Sequence, residues 1–268
     1  MKRAILAATL ASFVLFGKGQ AHEFWIDALD YAVPLGNPIA GDLLVGQEFS
    51  GAVYSYIPRS FTRFEVWMDG DSQPVVRRLG DRPALVFEDL PDGLAIVAHE
   101  TTATNLTYTE WDRFVRFAEH KDFGDIAAMQ DARGLPRTNF VESYTRHAKS
   151  LIAVGDGAGA DTAIGLTIEI VALANPYTDD VSEGLPVLVQ YQGRALPDVQ
   201  VELFDRGPDG AVTITLHRTD ADGVAMLPVA PGHEYLADHV VLEPLEPSED
   251  GDPVWHTYWA SLTFAVPG

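Results

Sequence analysis

The sequence predicts a mainly β protein: two β-sandwich domains, immunoglobulin-like or transthyretin-like, with a short helical insertion between them. Three observations carry that expectation. Apolar and polar residues alternate over short runs, Gly/Pro/Asp turn signals punctuate those runs, and in one place the rhythm breaks into apolar residues at helical spacing.

The chain opens with Lys2 and Arg3, continues with the apolar run "AILAATLASFVLF", and reaches Gly19 and Ala21 at −3 and −1 of a cut after Ala21. This is the pattern of a secretory signal peptide, and the run is too short to span a bilayer. Residues 1–21 are therefore excluded from the fold, and the mature chain is expected to start at His22.

From residue 22 to about 106 the pattern is β. In "RFEVWMDG", Phe64, Val66 and Met68 alternate with Arg63, Glu65 and Trp67, and "DGDSQP", "LGDRP" and "LPDG" mark turns. Residues 108–150 form the helical segment. Trp111, Phe114, Val115 and Ala118 follow Thr109, a plausible N-cap, in an aromatic stripe expected to lie on the sandwich as core. "DIAAMQDA" predicts a second helix, and "NFVESYTRHAKSLIAVG" reads as helix turning into strand. "GDGAGAD", residues 155–161, is small and polar and sets the boundary between an N-terminal domain, 22–154, and a C-terminal domain, 164–268. Seven β runs follow from Leu166, with "TDADG" read as a hairpin turn because no suitably spaced glutamate completes a calcium loop.

The formal charge is −21, and losing residues 1–21, with three basic and no acidic side chains, takes it to −24. Such a surface argues against nucleic acid or anionic lipid as a partner. No cysteine is present, so any metal site must use histidine, carboxylate, methionine or the amino terminus. No later apolar run approaches membrane-spanning length, and no insertion into the membrane is expected after cleavage. The chain lacks GxSxG, a P-loop, HExxH and a GxGxxG between strand and helix, so it is not expected to be an enzyme.

Several landmarks fall in order: "AHEFWI" after the leader, "ESYTRHAKSLIAVG", "ALANPY", "TDADG" and the closing "WHTYWASLTF". Together they resemble the NikM-like family of exported domains of unknown function, described as periplasmic components of cobalt or nickel uptake. Residues 193–237 also resemble carboxypeptidase-regulatory and collagen-adhesin B-type modules, a likeness that speaks to fold alone. The resemblance maps the family's start motif onto His22, Phe24 and Trp25, and a further histidine onto His239. His99 and His147 depart from it, standing where tyrosine is expected.

A histidine at a free amino terminus can chelate a divalent ion through its amine and Nδ1, and one further imidazole completes a three-nitrogen site suited to Cu(II) or Ni(II). His239 is the first-choice partner, His256 and His99 the others; His217, His120 and His233 read as exposed. The leading expectation is thus a periplasmic protein that binds nickel, cobalt or copper and assists uptake, delivery or sensing beside a membrane transporter component. A non-catalytic glycan- or protein-binding module using Trp25, Trp255 and Trp259 is the alternative. A copper histidine-brace oxygenase is the third reading.

Overall fold

The computed structural model describes residues 22–268; the expected signal peptide lies outside the described residues. The protein is mainly β and built from three sheets in layers. The middle sheet has ten strands. From edge to edge its main path runs through Val212–Arg218, Gln200–Arg206, Glu234–Pro244, Pro253–Ala265, Phe140–Val154, Gly93–Thr101, Phe61–Met68 and Asp71–Pro74. The first four come from residues 200–265 and the last four from residues 61–154. They are joined where Phe140–Val154 and Pro253–Ala265 pair in parallel, from Val141↔Pro253 to Ser150↔Thr263.

Each face of this sheet is covered by a four-stranded sheet, one containing Glu23–Ala28 and Ile39–Gln47, the other Ile168–Ala172 and Leu185–Tyr191. Strand alternation divides neighbouring residues between the two layers. Ala95, Val97 and Ile152 pack with Phe24, Ile26 and Ile39. Leu94, Ile96 and Leu151 pack with Ile168, Val187 and Leu227. The two sandwiches therefore share their middle sheet.

The expected helices occur as α1, Trp111–His120, and α2, Ile126–Ala132. The residue capping α1 is Glu110 rather than Thr109, while Asp125 caps α2 by accepting from the Ala128 amide at 2.9 Å. Phe114 and Ala118 are buried against Tyr108, Phe140, Trp255 and Trp259, as the core reading of the stripe required.

Three local expectations are corrected. The helical segment ends at Ala132, and Phe140–Val154 is strand throughout. Its second half is buried on both faces, which removes the period-two signal that marks a half-exposed strand. Residues 155–161 are not a loose linker: the Leu94 amide donates to Ala158 O at 2.8 Å, and Asn175 Nδ2 donates to Gly157 O and Gly159 O. Gly157 has φ +64° and a side chain there would meet Ala153 Cβ at 2.7 Å, so glycine is required by conformation and by space. "TDADG" is a turn stabilised by Asp220, which accepts from the amides of Asp222 and Val224, but it links strands of different sheets and closes no hairpin.

Candidate cation site

The strand Glu23–Ala28 lies across the middle sheet and is fastened there through its backbone. Ser261 Oγ donates to Phe24 O and Thr263 Oγ1 to Ile26 O, both at 2.7 Å. This directs the Glu23 side chain toward Glu202 and Asp238, which are paired neighbours on adjacent strands of the sheet. α1 approaches the same face. Its Phe117 ring stacks on Trp259 with centroids 5.5 Å apart, and the Lys121 amide closes the helix by donating to Phe117 O. The end of the amphipathic stripe thus delivers His120 and Lys121 to the three acids.

Lys121 is buried, and its Nζ donates to Glu23 Oε1 at 2.9 Å, Glu202 Oε2 at 2.8 Å and Asp238 Oδ2 at 2.8 Å. The same ammonium sits 5.1 Å from the centre of the Trp259 ring. Burial alone would lower its pKa, but the carboxylates of Asp238, Glu23 and Glu202 outweigh burial and hold it above the usual lysine range. The Asp238 pKa is also raised, which favours its neutral form: burial is the first cause and its acidic neighbours add to it, despite Lys121. Its Oδ1 is buried and accepts no hydrogen bond.

His120 Nε2 stands 3.2 Å from Glu202 Oε2 at the open side of the cluster. That contact raises the histidine pKa, against a smaller opposing effect of burial. One ligand atom from each of Glu23, His120 and Glu202 lies within 4.8 Å of the others, and a cavity of about 500 Å³ lined by Glu23, His120, Lys121 and Arg116 gives access. Three carboxylates face one ammonium. An oxygen-rich set with one imidazole suits a borderline divalent ion such as Ni(II), Co(II) or Zn(II).

The histidines singled out from the sequence are dispersed. His22 precedes the strand that carries Glu23, and its carbonyl accepts from Arg146 Nη2 at 3.2 Å. That half-buried guanidinium sets a positive charge beside His22, with the acids Glu23 and Glu142 acting on it in turn. Alternation turns Asp238 toward Glu23 and His239 to the other face of the sheet, where Nδ1–H donates to Gln200 O at 2.7 Å. His256 shares that far face; its Nε2 is 3.0 Å from Thr145 Oγ1 and its ring lies against Tyr258. Neither joins His22, because the sheet stands between them. His99 sits on the His22 side, enclosed by Phe24, Phe61 and Phe64 with centroids 4.9–5.2 Å away. Burial lowers its pKa to about 3. His147 is buried and donates from Nδ1 to Trp259 O.

The tryptophans proposed as exposed contacts are core. Trp25 packs with Phe49, Phe204 and Leu236. Trp255 donates to Gln130 Oε1 at 2.8 Å, and Trp259 is covered by Phe117. Sequence reasoning missed Glu23, Lys121, Glu202 and Asp238 and set His120 aside as solvent-facing. One signal was available: Glu202 and Asp238 interrupt apolar runs in "VQVELFD" and "EYLADHVV", where an inward acid needs a partner.

The fold and this cluster define a mainly β protein with an acid-rich centre clamped between a helix end and a sheet. Residues 19–242 match the family model described as Domain of unknown function (DUF4198), and the chain belongs to that family. Comparison with curated proteins returns no match.

Proposed function

We propose that the chain is an exported, periplasmic protein that binds a divalent transition-metal ion through Glu23, His120 and Glu202 and serves uptake, delivery or sensing. The observation that carries this reading is the charge imbalance at Lys121: three buried carboxylates share one ammonium, with His120 at their open side and Asp238 Oδ1 unpartnered. Buried anions are ordinarily paired one for one or bound to metal. The resemblance to the NikM-like family and the leader-like residues 1–21 support the same direction. A transport role also requires a membrane component, since no helix among the described residues is long and apolar enough to cross a membrane.

This reading moves the ligands from the terminal histidine to the acid cluster. Glu23 and Glu202 hold the ion through carboxylate oxygens and His120 through Nε2. Lys121 remains as an internal counter-charge that keeps the acids gathered when no ion is bound. Nickel and cobalt are the favoured cargo, with copper(II) intrinsically tighter at such donors.

Calorimetric titration of Ni(II), Co(II), Zn(II) and Cu(II) into the chain beginning at His22 tests it, beside His120→Ala, Glu202→Gln and His22→Ala. One-to-one binding that weakens at least about tenfold, ~1.4 kcal/mol, in the first two variants and persists in the third supports the acid-cluster site. Binding lost only in His22→Ala returns the site to the amino terminus. Absence of binding to all four metals removes the metal reading.

A further inference from the structure

The two edges of the ten-stranded sheet differ in chemistry. One edge, Asp71–Pro74, is four residues long and carries a charge and a proline, features that discourage a further strand from adding. The other, Val212–Arg218, is seven residues of "VTITLHR" with no acidic side chain and no proline. Among the described residues it pairs only with Gln200–Arg206, leaving its outer backbone groups without a strand partner. Its flank is apolar and open: Leu216 is 60% exposed and Ile214 39%. On a chain of formal charge −21 this exposed edge carries no acidic side chain.

We propose that Val212–Arg218 pairs antiparallel with the same strand of a second copy, extending the middle sheet across a two-fold axis. The strand is complementary to itself. Setting Thr215 opposite its own copy brings Ile214 against Leu216 on one flank, twice by symmetry, and Thr213 against His217 on the other. Cross-strand apolar and threonine pairs of this kind are the contacts that stabilise antiparallel ladders. An acidic peptide or an anionic surface is disfavoured by the charge of the chain. A second copy carries the same net charge, but its strand meets this one without placing an acid opposite an acid. Repulsion between the two bodies is long-range and screened by salt, whereas the ladder and its apolar flank are short-range. Association should therefore strengthen with ionic strength.

The test is sedimentation equilibrium of the chain beginning at His22, in about 0.01 M and about 1 M salt, where the Debye lengths are ~30 Å and ~3 Å. The double variant Ile214→Lys, Leu216→Lys is compared with Val76→Lys, Leu79→Lys, which makes the same charge change at exposed positions near the opposite edge. The expected result is a dimer favoured at least about tenfold by the higher salt, abolished by the first pair and retained by the second. Lysine lowers the net negative charge, so loss of the dimer in the first pair alone identifies the strand contact rather than overall repulsion. Hydrogen exchange on the unsubstituted chain gives an independent readout, with amides in 212–218 gaining protection as protein concentration rises. A monomer at about 100 µM in the higher salt, or a dimer indifferent to both pairs with no concentration-dependent protection of 212–218, overturns the proposal.

Discussion

Lys121 Nζ stands 2.8 Å from Asp238 Oδ2, and both groups have raised pKa values, which holds the ammonium charged and pushes the carboxyl toward its protonated form. For Asp238 burial is the first cause, and the acids Glu23 and Glu202 add to it. Glu23 and Glu202 claim the same ammonium, and Asp238, the most enclosed of the three acids, is left with one oxygen unpartnered.

Lys121→Met removes the only ammonium among three buried acids. The expected loss is about 3–5 kcal/mol at neutral pH, shrinking toward acid as the carboxyls protonate, and Asp238→Asn in the same background restores part of it. Urea unfolding measures this. A Lys121→Met protein as stable as the parent would show that the cluster carries no such electrostatic demand.

Glu142 is fully buried beneath α1, where it accepts from Thr257 Oγ1 and lies near Tyr108 and Arg146. Burial outweighs these partners and raises its pKa from 4.5 to about 7. The folded protein then keeps a proton that the unfolded chain has released. Its contribution is full below about pH 4.5 and falls by about 3 kcal/mol as pH rises through 7. In Glu142→Gln that slope should vanish in unfolding curves taken from pH 5 to 8, and an unchanged slope would assign it to another group.

His99 has the opposite sign. With its pKa lowered from 6.5 to about 3 by burial, it stays neutral in the fold while the unfolded chain takes up a proton. Stability is therefore complete above about pH 6.5 and declines by up to about 5 kcal/mol as pH falls toward 3. Neither ring nitrogen has a hydrogen-bond partner inside its phenylalanine enclosure. His99→Phe should raise the melting temperature at pH 7.5 and raise it further at pH 5; a lower melting temperature at both would contradict the cost assigned to those nitrogens.

Ser261→Ala breaks the hydroxyl bond that fastens Phe24 O, one residue from Glu23. The expected cost is about 1 kcal/mol, with faster amide exchange over 23–28. Metal affinity should also fall several-fold, because Glu23 is less well placed. Faster exchange with unchanged affinity would exclude Glu23 as a ligand while leaving the strand's fastening intact.

Much of the architecture was legible because it is written in local pattern. "FEVWM", "LPVLVQY" and the Trp111–Ala118 stripe each show which face is apolar, and a half-exposed element has no other way to bury that face. The strand Phe140–Val154 was harder, since burial on both sides erases alternation. Its position in the centre of a shared sheet depends on a parallel pairing with Pro253–Ala265, more than 100 residues away.

The sequence by itself determined that this is a mainly β, acidic, cysteine-free chain without a conventional catalytic motif, since composition and short-range periodicity are properties of the chain. Only the tertiary structure decided which side chains meet. Lys121 is 98, 81 and 117 residues from Glu23, Glu202 and Asp238, and no periodicity records such distances. The same holds for the histidines. Residues 238 and 239 are adjacent in sequence, yet the pleat sends the aspartate to the acid cluster and the histidine to the other side of the sheet.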